Sequence, residues 1–75
     1  MEIMIFGHLT EITRSKSIDA PCAKNIAELR HNLEEMFPGL VGKTFVIAVN
    51  NQLETEEYVL SQNDRLALLP PFSGG

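Results

Sequence analysis

Apolar and polar residues alternate at the start of the chain. Ile3, Ile5, Gly7 and Leu9 share one side and Met4, Phe6 and His8 the other, which predicts a first strand over residues 2–9. Thr10 to Lys16 is mixed and charged and reads as a polar turn. Ser17-Ile18-Asp19-Ala20 reads as a short second strand that pairs with the first as a hairpin and is ended by Pro21. The period then changes. Ile26, Leu29, Leu33, Met36 and Phe37 fall on one helical stripe, while Glu28, Arg30, Asn32, Glu34 and Glu35 point elsewhere. Asn25 is placed to cap this helix, with Glu28 three residues on completing a capping box, and Pro38-Gly39 closes it.

Thr44 to Val49 is β-branched and aromatic, with Phe45, Ile47 and Val49 on one side and Val46 and Ala48 on the other. A strand apolar on both sides belongs in a sheet interior. Asn50-Asn51 suits a turn, because asparagine tolerates positive φ. Leu53 and Tyr58-Val59-Leu60 form a short, irregular return interrupted by acidic residues. A turn at Gln62-Asn63-Asp64 leads into a last strand, Arg65 to Leu69. The order β-β-α-β-β-β gives an α+β fold with one helix available to cover one face of one sheet.

Composition narrows the possibilities. The 75 residues suffice for one domain, residues 1–75, near the lower limit at which a single core holds without staples. At 44% apolar and 21% charged the composition is that of a globular protein. The lone Cys22 has no internal disulfide partner. No apolar run approaches the ~20 residues of a membrane helix, and the first residues carry no basic leader, so the expected location is the cytoplasm. A net charge of −4 argues against nucleic acid and favours a partner with a basic surface.

The chemistry is expected at the other end of the chain. Residues 70–75, Pro-Pro-Phe-Ser-Gly-Gly, follow the last strand directly. Two prolines lack N–H donors and favour an extended backbone, so the ladder ends there and the tail is held away from the body. Gly74 and Gly75 cap nothing; without Cβ atoms they form a thread slim enough for another protein's active site. The alternative is an ordinary frayed terminus, against which the prolines and the apolar Phe72 weigh.

Leu69-Pro70-Pro71-Phe72-Ser73-Gly74-Gly75 resembles the C-terminus of the small, sulfur-carrier subunits of molybdopterin synthase, the MoaD family, within the wider ThiS/MoaD ubiquitin-like carriers. The Ile3 to Gly7 strand, the Ala27-Glu28-Leu29-Arg30 helix, Ala48-Val49-Asn50 and the Asn63 to Leu69 approach are similar to that family along nearly the full length. The resemblance implies a ubiquitin-like β-grasp, a mixed sheet with one main helix across one face and the first and last strands adjacent in the middle. It implies a carrier rather than an enzyme. An adenylyltransferase similar to the ubiquitin-activating enzymes would use ATP to adenylate Gly75, and a sulfur donor would convert it to a thiocarboxylate. The tail would then enter the large subunit, in a heterotetramer, and deliver sulfur to cyclic pyranopterin monophosphate for the dithiolene of the molybdenum cofactor. The catalytic residues would lie on the large subunit. No cofactor or metal is expected on the chain itself. Two departures stand out: Asn63-Asp64 replaces a common Gly-Asp turn, and Phe72 is bulkier than the usual aliphatic residue.

If the first and last strands are neighbours, Met4, Phe6, Ala67 and Leu69 face away from the helix, with Leu53 joining Phe6 and Leu69. This face is read either as a docking surface or as one screened by the loop around Tyr58. By resemblance, partners grip Phe6, Leu53, Leu69, Pro70, Pro71, Phe72 and Ser73, and the chemistry falls on Gly74 and Gly75. His8 and His31 have no partners at ligand spacing and read as structural histidines. Cys22 reads as a buried or incidental thiol, and Glu54, Glu56 and Glu57 as a solvated edge or a patch for a basic partner. Ser73 lacks the Asp-Ser-Leu helix start of an acyl carrier. The competing functions are a sulfur carrier for thiamine synthesis or tRNA thiolation, a ubiquitin-like protein modifier, and a non-covalent binding module.

Overall fold

The computed structural model describes residues 1–71. Five strands form one mixed sheet in the order β2-β1-β5-β3-β4. They are β1 (Glu2–Ile5), β2 (Ser17–Asp19), β3 (Val46–Val49), β4 (Gln52–Leu53) and β5 (Leu66–Leu69). β1 runs parallel to β5, and every other pairing is antiparallel. α1 (Thr10–Thr13) is a single turn, and α2 (Ile26–Met36) is the one long helix. The fold is the expected α+β arrangement, with the first and last strands side by side.

The helix forms where its stripe requires. Asn25 has extended backbone, and its side chain accepts the Glu28 N–H at 2.9 Å, satisfying a donor that the helix leaves free. The reciprocal half of the capping box differs from expectation. The Glu28 carboxylate accepts the N–H of Lys24 at 3.0 Å rather than that of Asn25. Ile26, Leu29 and Leu33 are buried against Ile3, Ile5, Ile47, Val49, Leu66 and Leu68. Met36 ends exposed and Phe37 half-buried, because α2 stops there and a 3-10 turn at Pro38–Leu40 buries Leu40 instead.

The first strand is shorter than the alternation predicts. It ends at Ile5, and Gly7, at φ +62°, turns the chain into a 3-10 turn at Gly7–Leu9 and then α1. Leu9 is fully buried in either case, so alternation and helical spacing compete at this point. The spacing of Leu9, half-buried Ile12 and buried Thr13 at i, i+3 and i+4 was the helical signal within the supposed polar turn. Arg14, with left-handed backbone at φ 60°, closes α1.

Asn50 and Asn51 take φ of 52° and 67°, the backbone of a two-residue hairpin joining β3 to β4. Asn50 also pins the approach to β5. Its Nδ2 donates to Asp64 Oδ1 at 2.9 Å, and its Oδ1 accepts the Arg65 N–H at 2.9 Å. Asp64 Oδ2 in turn accepts the Ser61 N–H at 2.8 Å. Asn63 has no positive φ, so the turn before β5 needs no glycine there.

At the opposite end of β1 the free amine of Met1 donates to Asp19 Oδ1 at 2.7 Å and to the Ala20 carbonyl at 2.8 Å. The hydrogen bond to Asp19 raises the amine pKa above its ordinary 8.0. The raised value fixes the sign of the pH dependence: this contribution is complete below pH 8.0 and is lost as pH rises through the folded-state value. Melting temperature should therefore decline as pH rises above 8.0, and Asp19→Asn should flatten that decline in a thermal series across the alkaline range.

Candidate functional site

The register of the sheet separates two sets of side chains. Ile18, Ile3, Leu66 and Val49 lie in one row across β2, β1, β5 and β3, and Ile5, Leu68 and Ile47 in the next. Both rows face α2, and all but half-buried Ile18 are buried. Their neighbours along each strand point the other way. Met4, Ala67, Ala48 and Leu53 form a row on the uncovered face, each paired with the next across β1, β5, β3 and β4. A second row contains Leu69 and Val46, paired directly, with Phe6 beside Leu69 because Phe6 N–H donates to Leu68 O at 3.0 Å.

This face is apolar and open. Met4 is 47% exposed, Phe6 45% and Leu53 61%, whereas Leu68 on the other side is fully buried. The structure brings Phe6 and Leu69 together and links Leu53 to them through Ala48 and Ala67. Half-buried Val46 shares this face, and Ala48, on the same side, is buried. The sequence carried their signal, a strand apolar on both sides, but that pattern also fits burial between two layers. The Tyr58 loop lies elsewhere. Tyr58 packs on the helix-side core, Ala27 N–H donates to Glu56 O, and Leu60 N–H donates to Lys24 O, so the loop is tied to the start of α2. The apolar face is therefore not screened by it.

β5 carries this face straight to the tail. Pro70 follows Leu69, half-buried, and Pro71 is exposed. A Cβ built on Gly7 would sit 2.8 Å from Pro70 Cγ, so the proline ring rests directly on the Gly7 backbone. Phe72, Ser73, Gly74 and Gly75 lie outside the described residues.

The other candidates are dispersed. His8 is exposed in the 3-10 turn, and His31 is exposed on α2, 3.2 Å from Glu35. Cys22 is exposed, which removes the buried-thiol alternative. Glu56 pairs with Arg30 Nε at 3.0 Å, and the Arg30 guanidinium lies 4.8 Å over the Phe45 ring, so this carboxylate fastens the return loop to the helix. Glu54 and Glu57 are exposed. Among the described residues, no three His, Cys, Asp or Glu side chains gather as a metal site would require, and no helix is long and apolar enough to cross a membrane.

Comparison with known proteins gives concordant results. The model of the ThiS family matches residues 3–75. The human molybdopterin synthase sulfur carrier subunit is 33% identical over 82 aligned positions, which cover 100% of this chain and 93% of the human protein. A structure of the complex of subunits 1 and 2 of molybdopterin-converting factor from Helicobacter pylori contains a chain 29% identical, with a TM-score of 0.65 and coverage of 99% and 96%. SAMP1 from Haloferax volcanii, 22% identical with a TM-score of 0.77 and coverage of 99% and 97%, shares the fold. That fold is the ubiquitin-like β-grasp.

The two sheet faces should respond differently to substitution. Phe6→Ser and Leu53→Ser remove exposed side chains from the uncovered face and should change stability by less than about 1 kcal/mol. Leu68→Ala, emptying a buried site between β1 and β3, should cost roughly 2–5 kcal/mol. Urea denaturation of the three variants checks the contrast.

Proposed function

The chain belongs to the ThiS family, and we propose that it is the sulfur-carrier subunit of a molybdopterin synthase, working in the cytoplasm. The observation that carries this is the central strand β5, whose uncovered side is apolar and which runs directly into Pro70-Pro71 and the Gly74-Gly75 end. One surface for partners and one slender acyl terminus are what a protein needs when other enzymes charge and discharge it.

The reaction sequence follows from the chemistry of a carboxylate. Gly75 cannot accept sulfur directly, because the leaving group would be oxide. An adenylyltransferase of the ubiquitin-activating kind joins a Gly75 carboxylate oxygen to the α-phosphate of ATP and releases pyrophosphate. Sulfide-level sulfur from a donor then attacks the acyl carbon and expels AMP, leaving a thiocarboxylate. In the large subunit that sulfur bonds to a carbon of cyclic pyranopterin monophosphate, an oxygen substituent departs from that carbon, and water cleaves the acyl carbon–sulfur bond to restore the Gly75 carboxylate. Two such deliveries build one dithiolene.

The chain's own part is presentation. Gly74 and Gly75 offer no Cβ to a narrow active-site slot. Phe72 is the apolar anchor nearest the reacting end, with Ser73 between it and the glycines. Phe6, Leu53, Leu69, Pro70 and Pro71 form the surface on which the activating enzyme and the large subunit take hold, one after the other. The catalytic residues belong to those partners, and a heterotetramer of two small and two large subunits fits this division. The human relative's name and the two-subunit Helicobacter pylori complex support the reading.

Two variants test it. Gly75→Ala, or deletion of Gly75, should abolish sulfur transfer while leaving the melting temperature nearly unchanged. Intact mass after incubation with activating enzyme, ATP and a sulfur source reads the result: wild type should gain the sulfur-for-oxygen difference and the variants nothing. Conjugates of higher mass would instead indicate a protein modifier. Phe72→Ala should weaken binding to the large subunit by about 2 kcal/mol, the scale of an aromatic hot spot, and calorimetry showing unchanged affinity would remove Phe72 from the interface.

A further inference from the structure

Strand β5 has a hydrogen-bonded neighbour on each side, so ending it requires stopping two ladders. In a strand, successive residues direct their backbone N–H and C=O groups to opposite neighbours. Here the even positions serve β1, since Leu68 O accepts the Phe6 N–H at 3.0 Å. The odd positions serve β3: Arg65 O accepts the Asn50 N–H at 2.8 Å, and Ala67 and Leu69 pair with Ala48 and Val46.

Extending both ladders by one rung identifies what the next residues would do. Position 70 would donate its N–H to the Phe6 carbonyl on β1. Position 71 would stand opposite Thr44 and donate to the β3 side. Both positions are proline, which has no N–H to give. The Pro70 ring also lies against Gly7, where an added Cβ would be 2.8 Å from Pro70 Cγ, so it fills the place beside the departing end of β1.

We propose that Pro70 and Pro71 form a two-sided stop for the central strand, one proline for each neighbour, so that both ladders of β5 end with Leu69. An edge strand would need one such proline; a central strand needs two in succession. The functional consequence rests on the carrier reading above: a tail paired to β1 or β3 cannot reach an adenylating site. Both prolines are then positioning residues, acting through the backbone beyond them.

The test uses the full chain with Pro70→Ala, Pro71→Ala and both together. Amide hydrogen exchange followed by NMR should show the N–H created at position 70 protected in the first variant and that at position 71 in the second. In the double variant, kcat/KM for adenylation should drop about tenfold, the scale expected for two added hydrogen bonds. The loss should fall in KM with kcat preserved, because a zippered tail is withdrawn from the competent population. Amides exchanging at free-chain rates in both variants would overturn the stop, whatever the activity. Protected amides with wild-type KM would overturn its role in releasing the tail. Wild-type protein that is never adenylated would sink the carrier reading, while the exchange data would still judge the stop. If Pro71→Ala alone folds, protection of its new amide supports the β3 half of the stop and free-chain exchange overturns it.

Discussion

The parallel pairing of β1 with β5 is the constraint on which the rest of the structure depends. It joins strands from opposite ends of the described chain, Ile3 with Leu66 and Ile5 with Leu68. Parallel strands need a long crossover, and here everything between them, including α2, serves as that connection. Such a contact is entropically expensive to close and is recovered by burying Ile3, Ile5, Leu66 and Leu68 under the helix. Once it forms, β5 is a central strand, and whatever follows it leaves from the middle of the sheet rather than from an edge.

That placement divides the labour of the two faces. The single helix α2 covers one, and nearly all the fully buried side chains lie there. The other keeps Met4, Phe6 and Leu53 in water. An exposed apolar surface adds little to the stability of the free domain and creates a tendency to associate, so its presence is better explained by partners than by folding. Because the same central strand joins this surface to Pro70 and Pro71, a partner that seats on the sheet is also aligned with the start of the tail.

The paired ionisable groups serve the packing of the described residues. Arg30 is held by Glu56 and the Phe45 ring, His31 pairs with Glu35 on the outside of α2, and the Met1 amine closes the β1–β2 end through Asp19. The first and the last fasten one element to another, while the His31–Glu35 pair lies within α2. In the proposed function the reacting group is the backbone carboxylate of Gly75.

The sequence by itself determined what is local. The α2 stripe and its Asn25 cap, the Asn50-Asn51 hairpin, the alternation of Ile3 and Ile5 against Met4 and Phe6, and the proline pair ahead of the glycines are all legible in runs of a few residues. Steric and hydrogen-bonding preferences act over that range. Tertiary structure decided the rest. Whether Leu9 is buried by a strand or by a helical turn was settled by how β1 leaves the sheet at Gly7. The assignment of Val46 and Ala48 to the face away from the helix was settled by which side α2 occupies. Which neighbour each of positions 70 and 71 would have paired with depends on a register between residues more than twenty apart. Periodicity is a property of one segment, whereas register is a property of two, and only the folded sheet fixes it.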